Sequence, residues 1–208
     1  AITEFPDSPF VAADAGTPVI MEYWHCGFAW DTRQKPSDCI IAVSQATAVY
    51  GEFGGRKAQV PIYVLYNGTD TDLFQPQPRN GVGEPVIGWS GRIAWEKDPV
   101  GWVDVFEAIN RECGGARGLV VGTVWNPEAN DEMQARIDRW GLRDRIEFLN
   151  ASYADMPSLY SRMDVLVHVR QDEPFGLIVP EALLCGTPVV GFLGGGLPEI
   201  AEALKWPP

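Results

Sequence analysis

From residue 85 onward, short apolar runs alternate with longer amphipathic stretches. That alternation constrains the fold more than any other feature of the sequence. Residues 85–90 read as a strand. Residues 96–113 read as a helix, with Val100, Val103, Phe106 and Ile109 near a period of 3.6. Residues 118–124, 145–149, 164–169 and 188–192 read as further strands, and 130–140, 155–162 and 176–184 as the intervening helices, with another helix starting over 197–204. Gly141 and Gly186 read as helix stops and Asp155 as a helix cap. Strand and helix in turn, with short links, predict parallel crossovers. The expected fold is therefore α/β, a doubly wound, Rossmann-like parallel sheet. Sheets of this kind bind ligands beyond the carboxyl ends of their strands.

The first third reads differently. Residues 18–23, 38–43 and 61–66 read as three strands, and Ser44 as the cap of a helix running to about residue 53. These are too few elements for a complete domain, so an incomplete second Rossmann-like domain is expected. Over 68–84 the composition shifts to Pro, Gly, Asn and Asp. The predicted organisation is a partial N-terminal domain over 1–67, a linker over 68–84 and a ligand-binding domain over 85–208.

Charge and composition narrow the partners. With 16 basic and 28 acidic side chains the net charge is −12, which argues against nucleic acid and anionic membranes. No apolar run reaches the roughly 18 residues of a membrane-spanning helix. Residues 1–10 lack a basic start and a long apolar stretch, so no signal peptide is read there. Cys26, Cys39, Cys113 and Cys185 are scattered, with no CxxC pair, and read as buried reduced thiols of a cytoplasmic protein. The eight tryptophans read mostly as core or interdomain packing. His25 and His168 are too far apart for a zinc site. His168 lies inside an apolar strand and reads as a core residue. His25, at a strand end, is a candidate ligand contact.

Three strings carry the chemistry, each at a predicted strand end. The first is Glu173-Pro174-Phe175-Gly176-Leu177-Ile178-Val179-Pro180-Glu181. Pro180 must fall in the first helical turn, since deeper in it would break the helix. The backbone N–H groups of that turn offer an anion site. Gly176 permits close backbone approach, and Glu181 can accept hydrogen bonds from a diol. Either carboxylate alone fits a solvated helix-start acid equally well. The second string, Gly91-Arg92-Ile93-Ala94-Trp95-Glu96-Lys97-Asp98, puts two cations at a strand end of an acidic chain, which suggests an anionic ligand. Taken alone, Arg92 and Lys97 fit a surface pair balancing Glu96 and Asp98. The third, Gly194-Gly195-Gly196-Leu197-Pro198-Glu199, is a flexible turn into a helix start.

In this order the strings resemble the family 4 retaining glycosyltransferases of the GT-B fold. Residues 173–183 resemble that family's E-x7-E signature, 91–97 its G-R-x-x-x-E-K segment and 195–199 its G-G-x-P-E loop. Residues 185–190 resemble its C-G-x-P-V-V strand entry. Residues 38–47 resemble the last strand of its acceptor domain, and 67–76 its crossing into the donor domain. The resemblance implies that Arg92 and Lys97 hold the donor diphosphate. It gives Glu181 the ribose hydroxyls, Glu173 the transferred sugar, and the backbone of Phe175, Gly176, Leu177, Gly195, Gly196 and Leu197 the sugar and phosphates. His25 would reach the donor sugar from the N-terminal, acceptor side. The implied reaction is retaining transfer from a UDP- or GDP-sugar to a sugar, lipid or small-molecule acceptor, without cofactor or metal. Two other readings are open: a non-catalytic nucleotide-sugar-binding module, and a GT-B sugar-nucleotide epimerase. Against the family pattern, strands are missing before residue 1 and helices after residue 208, so a truncated, donor-binding chain is expected. A cytoplasmic location is expected, with peripheral membrane association open for the full-length protein.

Overall fold

The computed structural model describes residues 2–3, 21–24, 38–53, 60–79 and 83–203. The chain divides into two compact units, one of residues 1–68, 172–176 and 193–208, the other of residues 69–171 and 177–192.

In the first unit, β1 (Ile2–Thr3), β2 (Met21–Trp24), β3 (Cys39–Ala42) and β4 (Ile62–Val64) form a parallel sheet in that order. β1, only two residues long, has no legible signal in the sequence. The helix after β3, α1 (Gln45–Phe53), begins where Ser44 predicts. The Ser44 hydroxyl accepts from the Thr47 amide at 3.0 Å, the bond an N-cap makes. Ile40, Ala42 and Ala48 form a small core under Val60, Ile62 and Val64.

The second unit carries the doubly wound sheet that the alternation predicts. Its elements are β5 (Val86–Ser90), α2 (Pro99–Glu112), β6 (Arg117–Val121), α3 (Pro127–Trp140), β7 (Ile146–Leu149), α4 (Met156–Arg162), β8 (Val165–His168), α5 (Ile178–Leu184) and β9 (Val189–Gly191). The strands pair in parallel, in the order β7-β6-β5-β8-β9. The chain winds one way from β5 to β7 and then crosses back to β8. β5 is therefore the switch strand, beyond whose carboxyl end such sheets bind ligands. Trp102 and Phe106, stacked with centroids 5.3 Å apart, anchor α2 to the core around Trp89, Val120, Met133 and Ile137. The buried Trp102 indole N–H is satisfied by the Gly88 carbonyl at 3.2 Å. A last helix, α6 (Leu197–Ala203), belongs to the first unit.

Several boundaries differ from the sequence reading for identifiable reasons. The stretch 96–113 is not one helix. A 3-10 turn over Trp95–Lys97 ends at Asp98, and α2 starts at Pro99. Proline sets the residue before it outside the right-handed helical region, and Asp98 takes a left-handed conformation with φ 48°. β6 stops at Val121 rather than at residue 124. A Cβ on Gly122 would sit 1.8 Å from the Gly91 carbonyl oxygen, so the two backbones cross where side chains have no room. Asp155 does not cap α4 with its side chain; its carboxylate accepts from the Ser152 hydroxyl at 2.6 Å. Cys185 is buried as expected, but Cys39 is half-buried and Cys113 exposed. Trp89 and Trp102 are core residues, whereas Trp95, Trp125 and Trp140 are exposed. His168 is buried, as its apolar strand predicts.

Candidate functional site

Glu181 lies one turn into α5, after Pro180, in the first turn as its chemistry requires. Its side chain is only 7% exposed. The Tyr160 hydroxyl, on α4, donates to Glu181 Oε2 at 2.9 Å and lies 3.4 Å from Ser90 Oγ at the end of β5. Tyr160 is fully buried, its ring 6.2 Å from that of Phe74. A carboxylate on α5 is thus tied through α4 to the carboxyl end of the switch strand. Burial raises the Glu181 pKa above the ordinary carboxylate value, and the Tyr160 hydrogen bond opposes that rise. The neighbours register the same buried charge. Burial and then the Glu181 charge push the Tyr160 hydroxyl well above its usual value, and push the Cys185 thiol up to about 11. Burial, Glu181 and Asp70 raise Tyr153 in the same way.

Burying such an acid is costly. Desolvation costs several kcal/mol per ion before compensation, on the order of what one hydrogen bond to a charged group cannot fully return. Glu181 Oε2 is engaged by Tyr160. A carboxylate held on one oxygen keeps acceptor capacity on the other, enough for a donor such as a hydroxyl.

The two cations lie on one loop, directly after β5. Arg92 is half-exposed; its Nη2 is 3.2 Å from Glu96 Oε1, and its guanidinium carbon lies 5.1 Å from the centre of the Trp125 ring. Lys97 is half-buried at the end of the 3-10 turn. The Asp98 carboxylate, just beyond, accepts from the Gly101 amide at 3.0 Å and caps α2.

In the first unit the Glu173 segment and the glycine loop meet. The Glu173 carbonyl accepts from the Gly196 amide at 2.8 Å. Gly195 has φ 59°, and a Cβ there would sit 2.1 Å from the Glu173 carbonyl oxygen; one on Gly196 would sit 2.4 Å from the Pro174 oxygen. Only glycine fits both positions, which gives the G-G-x-P-E string a steric basis. Glu173 and Phe175 are buried, and the Phe175 ring is 6.2 Å from Tyr66. The Ser44 hydroxyl donates to the Pro174 carbonyl at 2.6 Å. Both Glu199 oxygens accept from the start of α1, from the Gln45 and Ala46 amides at 2.8 and 3.0 Å. Gly176 has φ 90°, Leu177 is exposed and Leu197 is buried at the start of α6.

His25 lies outside the described residues. Tyr160 and Trp125 escape the sequence reading. A tyrosine among apolar helix positions reads as packing, and nothing local reports that its hydroxyl meets an acid 21 residues later. Among the described residues, no three His, Cys, Asp or Glu side chains converge as a metal-ligand group, and no helix is long and apolar enough to cross a membrane.

Comparison with known proteins gives the family and the fold. Residues 70–205 match the family described as "Glycosyl transferases group 1". The chain is 39% identical over 118 residues to the 2-deoxystreptamine N-acetyl-D-glucosaminyltransferase of Streptomyces fradiae, covering 55% of this chain and 27% of that protein. It is 31% identical over 180 residues to the 2-deoxystreptamine glucosyltransferase of Streptomyces kanamyceticus, covering 81% and 45%. The chain therefore spans less than half the length of these curated relatives. The crystal structure of Anabaena HepE in complex with UDP and glucose matches with a TM-score of 0.76 at 22% identity, covering 91% of this chain and 57% of that one. Sucrose-phosphate synthase from Thermosynechococcus elongatus matches with a TM-score of 0.75 at 23% identity, covering 94% and 56%. At these identities the likeness is one of fold, that of the GT-B glycosyltransferases. With the matched family spanning most of the sequence and the fold agreeing, the chain belongs to the group 1 glycosyl transferases.

Proposed function

We propose that this chain carries the nucleotide-sugar-binding part of a retaining glycosyltransferase of family 4 type, with 85–208 as the donor domain, 68–84 as the linker and 1–67 as part of the acceptor domain. The observation that carries this reading is the buried Glu181. It is held on one oxygen by Tyr160 and tied to the end of β5, the strand whose next loop bears Arg92 and Lys97. A fixed acceptor of hydrogen bonds and two cations, both reached from the end of the switch strand, suit a ribose diol followed by a diphosphate. Support comes also from Anabaena HepE, a protein of the same fold solved in complex with UDP and glucose.

The mechanism follows from the charges. Breaking the bond between sugar and phosphate leaves negative charge on the diphosphate and positive character on the sugar ring. Arg92 and Lys97 stabilise the leaving group as that charge develops. Glu181 holds the ribose, so binding energy from a remote part of the donor positions the bond that breaks. By the family resemblance, Glu173, His25 and the backbone at 175–177 and 195–197 hold the transferred sugar. The attacking hydroxyl enters from the leaving-group face, with a phosphate oxygen taking its proton, so the chain needs no nucleophile of its own. The donor is a UDP- or GDP-sugar, and transfer is metal-independent because the two side-chain cations supply the positive charge.

A thermal-shift panel of UDP, GDP, ADP and their sugars, with and without EDTA, tests this reading. One diphosphate series should raise the melting temperature, EDTA should leave the shift intact, and Arg92→Ala should reduce it. No shift with any of the nucleotides would refute the assignment.

A further inference from the structure

Trp125 is 67% exposed, so its indole adds little to the core. Its backbone is nevertheless held firmly. The loops after β5 and β6 run together as a short parallel bridge between Ile93 and Val124. The Ile93 amide donates to the Thr123 carbonyl at 2.9 Å, and the Ile93 carbonyl accepts from Trp125 and Asn126 at 3.1 and 3.0 Å. Below the bridge, the Gly91 amide donates to Val121 at 3.0 Å, and the Gly122 backbone crosses the Gly91 carbonyl too closely for any side chain. Beyond it, the Asn126 side chain accepts from the Ala129 amide at 2.7 Å and starts α3. An exposed tryptophan thus stands on a backbone held from both sides, and the Arg92 guanidinium carbon lies 5.1 Å from the centre of its ring.

The way the guanidinium is held matters. Its five N–H groups all point outward in its own plane. An ion pair uses that edge, as Glu96 does at 3.2 Å. A stacked ring instead holds the group by its face, through attraction to the ring quadrupole, and uses no N–H. Trp125 can therefore orient Arg92 while leaving an edge for two phosphate oxygens. It also spares the ligand part of the entropy of ordering a long side chain.

We propose that Trp125 is a positioning residue for anion binding: its ring holds the Arg92 guanidinium at the end of β5 without using the N–H groups that a phosphate would need. The proposal rests on the reading of Arg92 as a diphosphate ligand. It is separate from any direct contact between Trp125 and the nucleotide.

Calorimetric titration of the full chain tests it, using the tightest binder among UDP, GDP and ADP and the matching nucleoside. Trp125→Ala should weaken the diphosphate about 2- to 5-fold, the range of an exposed cation–π contact. Trp125→Phe should restore most of the loss, and nucleoside affinity should not change. In the Arg92→Ala background, Trp125→Ala should have no further effect. Circular dichroism melting of each variant separates loss of fold from loss of positioning. A loss that persists undiminished without Arg92, or that extends equally to the nucleoside, would overturn the proposal, as would no loss at all. If Arg92→Ala itself leaves diphosphate affinity unchanged, the donor-binding reading fails first and takes this inference with it.

Discussion

Glu181 combines a thermodynamic cost with a functional opportunity, and the two can be measured apart. Its pKa is raised, chiefly by burial, so the folded state holds the proton more tightly than the unfolded chain. Between the two values, folding takes up a proton, and stability falls as pH rises from the ordinary glutamate range through the folded value. Below that range the contribution is fully present. Glu181→Gln cannot ionise and should escape the loss. It should melt above the wild type at about pH 8 and approach it near about pH 4, read by circular dichroism. The same substitution should weaken nucleoside diphosphate binding by about 1–3 kcal/mol, the scale of a lost hydrogen bond to a charged group. A residue that gains stability and loses affinity on neutralisation is a ligand-binding acid; one that loses stability is a structural one. The sequence makes Glu181 visible, because Pro180 and the acid eight residues earlier fix where the helix must start. Tyr160 is invisible there, because its role depends on a contact made only after α4 and α5 have packed.

At the scale of elements, the segment between β5 and α2 departs most from the sequence reading. Hydrophobic periodicity runs through 96–113 and suggests one helix, but periodicity does not report backbone breaks. Asp98-Pro99 does: proline fits the first helical position, and the aspartate before it turns left-handed and caps the new helix. The break gives the cation loop its own short turn, Trp95–Lys97, instead of stretching Lys97 along α2. Asp98→Ala removes the cap and leaves a Cβ in a left-handed conformation without a polar side chain to favour it. It should cost about 1–2 kcal/mol in urea unfolding. Asp98→Asn keeps both properties and should be nearly neutral. Equal effects of the two would mean that the carboxylate charge, not the cap, is what matters. Other boundaries slipped for a similar reason. The apolar run 118–124 continues past Val121, but Gly122 marks a backbone crossing whose partner, Gly91, lies far back in the sequence.

For the whole molecule, alternation alone predicts a parallel sheet flanked by helices, because a parallel crossover needs a long connection and short links leave only the helix to fill it. What alternation does not give is strand order. Nothing in the composition of β5 or β8 says that they are neighbours; that follows from the topology, and with it the identity of the switch strand. The loop after that strand carries Arg92 and Lys97, in a chain of net charge −12. Against such a field, anion affinity depends on a few local cations, and the central claim is that they hold a diphosphate. A calorimetric comparison of a nucleoside diphosphate with its own nucleoside tests this most directly, since the two differ only in the group the cations are said to hold. The diphosphate should bind at least about ten-fold more tightly, a difference of about 1.4 kcal/mol. Arg92→Ala should remove most of that margin without changing nucleoside affinity. Equal binding of the two ligands by the wild-type chain would contradict the claim.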